Sequence, residues 1–202
     1  MNKEIALQKL KTLEGQDLRK LAEKYNITVF KEGKTNKGWA GQTVERAIGL
    51  PLNSSQCPNA GSWELKLVSL KKKVDGTLVP KETMQITMIN EKDVLERPFE
   101  SSHLLSKLRS LVICGRIFVS KNEPESILYK VGTFDLKGEL YKIVKTDYED
   151  VRNAIRTRGF KSLTGHMGEL VQPRTKGPGH GSISRAFYAR KGFVAIILDI
   201  GT

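Results

Sequence analysis

Trp63-Glu64-Leu65-Lys66-Leu67-Val68-Ser69-Leu70 alternates apolar and polar residues with the two-residue period of a β-strand. Glu64 and Lys66 stand two apart on such a strand and project from one face. A carboxylate and an ammonium side by side suit metal-assisted hydrolysis of a phosphodiester. The acid holds Mg²⁺, while the lysine orients the attacking water and stabilises the negative transition state. Glu-x-Lys also arises by chance, and it then forms an ordinary ion pair on a strand face. Its surroundings decide between the two.

Asn53–Ser62 (NSSQCPNAGS) precedes the strand and is rich in turn formers. A second acid from this turn would complete a metal site, but five residues before Glu64 stands Asn59. Farther upstream, Gly38–Gly49 has helical spacing, with Trp39, Val44, Ala47 and Ile48 on its buried side and Glu45 on the same helix. Gly49-Leu50-Pro51 ends it. Lys31–Lys37 reads as a polar loop, and residues 3–13 and 16–25 as helices separated by Gly15. Downstream, Asp75-Gly76 signals a hairpin whose returning strand is Thr83–Ile89. A helix over Ser101–Arg109, capped by Ser101 or Ser102, precedes apolar strands at Leu111–Ser120 and Ile127–Phe134. Asp147–Arg158 is helical again, and the apolar Phe193–Ile200 suits either strand or helix. This order predicts a mixed α/β (α+β) fold rather than repeated βαβ units.

The chain of 202 residues is long enough to bury a core as one domain, or as one domain with two lobes. With 39% hydrophobic and 28% charged residues it reads as a soluble globular protein. No apolar run reaches membrane-span length and the N-terminus lacks a signal peptide's apolar centre, so a cytoplasmic protein without a membrane partner is expected. Cys57 and Cys114 are isolated, which argues against a disulfide scaffold or zinc site. The net charge of +12 points to an anionic partner, of which a nucleic-acid backbone is the commonest. From Val151 to Phe193 there are nine Lys/Arg against the single acid Glu169, which places much of that charge in the C-terminal part. Trp39 and Trp63 read as core residues, and His103 as a packing or capping histidine.

Several short motifs resemble those of the MutH-like PD-(D/E)xK endonucleases. Lys37-Gly38-Trp39-Ala40-Gly41 with Glu45 and Gly49 is similar to their KGWxG…E…G helix, and Trp63-Glu64-Leu65-Lys66 to their ELK strand. Lys81-Glu82-Thr83 resembles their ET strand, and Phe99-Glu100-Ser101-Ser102-His103 with Lys107-Leu108 their WE(T/S)SH…KL helix. Gly168–Arg174 (GELVQPR) resembles GEYLQIR, and Arg185–Lys191 (RAFYARK) resembles RGFYLKK. Each motif is weak alone; the same order over about residues 37–195 makes the set specific.

The resemblance implies a restriction-endonuclease-like core, a central mixed sheet flanked by helices, with room for two lobes around a DNA cleft. It implies one nuclease domain over 1–202, divided near residue 110 into a catalytic lobe (about 1–110) and a DNA-recognition lobe (111–202). Glu64 and Glu45 would serve the metal together with the residue at position 59, and Lys66 would orient water. Lys107 would contact the phosphate of the cleaved strand. Arg174 would read a base edge, Tyr188 would sense base identity or methylation, and Lys37, His180, Arg185, Arg190 and Lys191 would contact DNA. Asn59 departs from the family's aspartate, and the family's longer spacing leads to Cys57; either way activity is expected to be weakened, because an amide binds Mg²⁺ less well than a carboxylate. Thr175–Ser184 matches poorly, so no target sequence is read there. The expected activity is Mg²⁺-dependent, sequence-specific cleavage of double-stranded DNA by a type II restriction enzyme. Such an enzyme would act as a monomer or homodimer, beside a cognate DNA methyltransferase in the cell. The alternatives are a mismatch-repair nickase and a catalytically silent DNA-binding module.

Overall fold

The computed structural model describes residues 1–50, 62–120, 122, 124–177 and 183–201. It is mixed α+β and divides into two interleaved units, one of residues 1–82, 111–134 and 195–202, the other of 83–110 and 135–194. The boundary expected near 110 is one of four places where the chain passes between units, so neither unit is a contiguous half.

In the first unit, helices α1 (Lys3–Lys11), α2 (Leu18–Lys24) and α3 (Trp39–Ile48) accompany a four-stranded sheet of order β4-β3-β6-β7. Its strands are β3 (Glu64–Lys72), β4 (Leu78–Pro80), β6 (Ser110–Ile117) and β7 (Leu128–Asp135). The pair β3–β6 is parallel and β3–β4 antiparallel, which makes the sheet mixed. The run Leu111–Arg116 is buried throughout, as the apolar sequence of an inner strand with a parallel neighbour demands. Asn2 and Asp17 accept backbone N–H bonds as N-caps of α1 and α2, and Gly49 ends α3 in the left-handed conformation at φ 81°. The edge strand β7 is tied down by Glu14, whose carboxylate accepts the Val131 N–H at 2.5 Å. Trp39 and Trp63 are both core residues, as expected. The guanidinium of the buried Arg116 lies 5.1 Å from the Trp39 ring while donating to Ser126 Oγ at 2.8 Å. Burial pushes the Cys114 thiol up to about 12, as suits an inert core thiol.

Two expectations for this part need correction. Phe30–Lys31 and Lys34–Thr35 pair as a small antiparallel hairpin, β1 and β2, rather than a loop. The left-handed pair Glu32 (φ 51°) and Gly33 (φ 72°) supplies the tight turn. The Asp75-Gly76 hairpin returns not through Thr83–Ile89 but through β4, which ends at Pro80. Proline has no N–H for a further rung and is tolerated here because β4 is an edge strand.

In the second unit, an antiparallel sheet of order β5-β9-β8 is made of Met84–Ile89, Arg185–Ala189 and Val171–Thr175. Helices α4 (Glu91–Glu96), α5 (His103–Leu108) and α6 (Gly138–Arg158) accompany it, and α7 (Lys191–Leu198) follows β9. Ser102 caps α5, accepting from Leu105 N. The segment left open between strand and helix is therefore helical, and α6 begins nine residues before the expected start. Phe187 on one sheet face stacks on Tyr148 of α6 at 5.9 Å between centroids, and Tyr148 on Phe99 at 5.7 Å. The buried Tyr148 hydroxyl donates to Arg97 O at 2.8 Å, and burial pushes its phenol up to about 12.

Candidate functional site

The strand that opens with the Glu-x-Lys pair is the second in its sheet, held between β4 and the buried β6. Register sets Glu64 opposite Leu111 and Lys66 opposite Ile113, so both side chains project from one face near the start of the parallel ladder. Lys66 Nζ stands 3.0 Å from Glu64 Oε1, with side-chain exposures of 19% and 2%. A carboxylate so thoroughly removed from water is not the solvated ion pair that chance would place on an exposed strand. Glu45 is half-buried on α3, a helix of the same unit that packs beside β3. Asn59 and Cys57 lie outside the described residues, as does His180. Lys37 is exposed just before α3.

No cluster of three or more His, Cys, Asp or Glu side chains able to hold a metal is found among the described residues. Mg²⁺ does not need one, since it commonly binds through one or two carboxylates and completes its shell with water and substrate phosphate. The buried Glu64 carboxylate, with Glu45 on the neighbouring helix, fits that hard-oxygen chemistry better than it fits zinc.

The other described residues that the resemblance singles out lie in the second unit. Lys107 is buried on α5. Arg174 is exposed on β8, donates to Thr83 Oγ1 at 2.8 Å and lies 5.6 Å from the Tyr188 ring. Register puts Gln172 opposite Tyr188 and Arg174 opposite Ala186, so Arg174 and Tyr188 share a sheet face. Arg185, opposite Thr175, falls on the face of Phe187 instead. Lys191 is exposed at the start of α7.

Arg190 is committed to the protein. Its Nε donates to Gly168 O, and its Nη2 to Gly165 O and Met167 O, each at 3.0 Å. Arg190→Ala is expected to lower stability by about 1–3 kcal/mol by orphaning these carbonyls, and to leave the salt dependence of duplex binding unchanged. Urea denaturation and a salt titration of binding check both halves; a reduced salt slope would make Arg190 a phosphate contact after all.

Sequence reasoning missed Asp147, a buried carboxylate that accepts three backbone N–H groups ahead of β8. The signal was present, because Asp147 lies within the buried helical stripe Val144, Tyr148, Val151, Ile155.

A buried Glu-Lys pair on an inner strand of a mixed sheet is the arrangement that metal-assisted phosphodiester cleavage would use. The family model described as the DNA mismatch repair enzyme MutH matches residues 49–147, which contain Glu64, Lys66 and Lys107 but neither Arg174 nor Tyr188. Over that stretch, just under half of its length, the chain is similar to the MutH family. Among its relatives is the DNA mismatch repair protein MutH of Haemophilus ducreyi, 28% identical over 96% of this chain and 91% of the relative. Another, from Shewanella woodyi, is 28% identical over 85% of this chain and 74% of the relative. A solved structure titled restriction endonuclease MvaI-cognate DNA substrate complex matches at a TM-score of 0.43 with 11% identity, covering 98% of this chain and 97% of that one.

Proposed function

We propose that the chain is a sequence-specific endonuclease of double-stranded DNA that works with Mg²⁺ as a type II restriction enzyme in the cytoplasm. The observation that carries this reading is the Glu64–Lys66 pair, joined at 3.0 Å with Glu64 all but inaccessible to water. The net charge of +12 supplies the attraction to a phosphate backbone. Among the described residues no helix is long and apolar enough to cross a membrane.

Glu64 would hold the metal with Glu45 and the residue at position 59. Bound there, Mg²⁺ would neutralise charge developing on the scissile phosphate. Lys66 donates toward the attacking water and fixes its oxygen in line with phosphorus. As that oxygen adds and one P–O ester bond breaks, the attacking water gives up a proton to solvent, the departing oxygen takes one from solvent, and the Lys66 ammonium stabilises the growing negative charge. Lys107 would position the cleaved strand through a phosphate contact, and Arg174 would read guanine with its guanidinium fork.

Unmethylated plasmid incubated with Mg²⁺ and either this chain or its Asn59→Asp variant tests the reading. Discrete bands from the variant and weak or no cutting by this chain are expected. Sequence-specific binding with no cutting by either protein would leave a recognition module and overturn the nuclease proposal. A second reading, a mismatch-repair nickase, is favoured by the names of the curated relatives. Strong stimulation of nicking by a mismatch-repair ATPase would select it over the restriction enzyme.

A further inference from the structure

The sheet face that carries Arg174 and Tyr188 also carries Gln85, which the family motifs do not include. Gln85 is opposite Tyr188 on β5, and Tyr188 is opposite Gln172 on β8. One row across three strands therefore reads carboxamide, phenol, carboxamide. A β-bulge between Gln85 and Thr87 creates this arrangement. In a regular strand, residues three apart face opposite ways. Here the extra residue lets Gln85 and Met88 share the Arg174 face, and Gln85 Nε2 lies 3.9 Å from Met88 Sδ. Thr87 and Ile89 remain on the buried face. Bulges commonly re-aim a side chain beside a functional site.

The chemistry of Gln85 is unusual for a half-buried amide. Its only hydrogen-bond partner among the described residues is a thioether, one of the weakest acceptors in proteins. Its carbonyl oxygen has no hydrogen-bond partner among the described residues, and the side chain belongs to the face where Arg174 is exposed.

We propose that Gln85 is a specificity-determining residue that reads an adenine in the major groove, donating to N7 and accepting from N6–H₂. The inference rests on the proposed reading as a sequence-specific duplex endonuclease. Neighbouring strands are about 4.8 Å apart, so Gln85 and Gln172 at the two ends of the row are separated by about 10 Å. That span covers about three base-pair steps of about 3.4 Å. Gln172 itself is buried, and the exposed Arg174 stands two residues beyond it on the same strand and face; Gln85 and Arg174 thus address different base pairs of one site, an amide suited to adenine and a guanidinium suited to guanine. The chemistry of this face thus specifies a mixed target rather than a run of one base.

The test selects bound sequences from a randomised duplex library with Ca²⁺ in place of Mg²⁺, so that binding is read without cleavage. The full chain is compared with Gln85→Leu and Gln85→Glu, each checked for an unchanged thermal melt. The native chain should enrich a defined site containing an A·T pair. Gln85→Leu should lose discrimination at that one pair by about 10- to 100-fold and keep the others. Gln85→Glu, which can only accept, should exchange the preference there for C·G through cytosine N4. If the native chain enriches a site and both variants enrich the identical one, Gln85 does not read a base and this inference fails while the proposed function stands. If the native chain enriches no sequence, the proposed function fails first.

Discussion

Lys66→Ala, made in the Asn59→Asp background, is expected to slow Mg²⁺-dependent cleavage by about 10²- to 10³-fold while duplex binding persists. The Lys66 side chain is four-fifths shielded from water, so under the proposed mechanism its charge would act on the reacting phosphate with little screening. Substrate and transition state differ at this site mainly in the negative charge that Lys66 faces, which places the loss in the chemical step rather than in binding. Glu64→Gln should lose at least as much, and its residual rate should require higher Mg²⁺, because an amide of the same shape replaces the carboxylate proposed to hold the metal. Single-turnover rates over a Mg²⁺ series separate the two. A Lys66→Ala protein that cuts at the parent rate would reduce the pair to an ion pair within the strand and remove the basis of the mechanism.

The pair was legible in the sequence because two residues of one strand, two positions apart, cannot avoid sharing a face. The alternation of Trp63, Leu65 and Leu67 with Glu64 and Lys66 identified the strand, and Gly49 fixed the end of the helix bearing Glu45 through its left-handed conformation. Pairing between distant strands was not legible. Thr83–Ile89 has strand character, but nothing within it tells whether its partner is the preceding strand or Arg185–Ala189. The decision falls at Pro80, which closes the short β4 edge, after which the chain enters the other unit. A bulge is equally silent, since one extra residue leaves composition unchanged while reversing which face Gln85 occupies. Arg190 and Arg174 show the same limit for charge. Both belong to a basic C-terminal stretch, yet one donates to three carbonyls of its own unit and the other stands exposed on a sheet face.

Asp147→Ala is expected to cost about 3–5 kcal/mol of stability, more than any single surface charge here would. The carboxylate is 3% exposed and accepts from Glu169 N at 2.6 Å, Leu170 N at 2.9 Å and Val171 N at 2.7 Å. Its removal leaves three inward-facing donors without an acceptor, and each such orphan costs about 1–3 kcal/mol, though not additively. Asp147→Asn keeps the shape but turns an N–H₂ group toward a backbone N–H, so it should cost less than alanine and still be measurable by urea denaturation. The turn itself holds a second lock. Gly168 sits at φ +76°, and a Cβ there would lie 1.9 Å from the Val171 carbonyl oxygen and 3.1 Å from Asp147 Cγ. Gly168→Ala must therefore displace the same N–H groups that Asp147 gathers. The two substitutions should be strongly non-additive, with the double variant losing much less than the sum of the singles. Full additivity would mean that Asp147 and Gly168 stabilise separate structures, and that the carboxylate does not set the turn from which β8 presents Arg174.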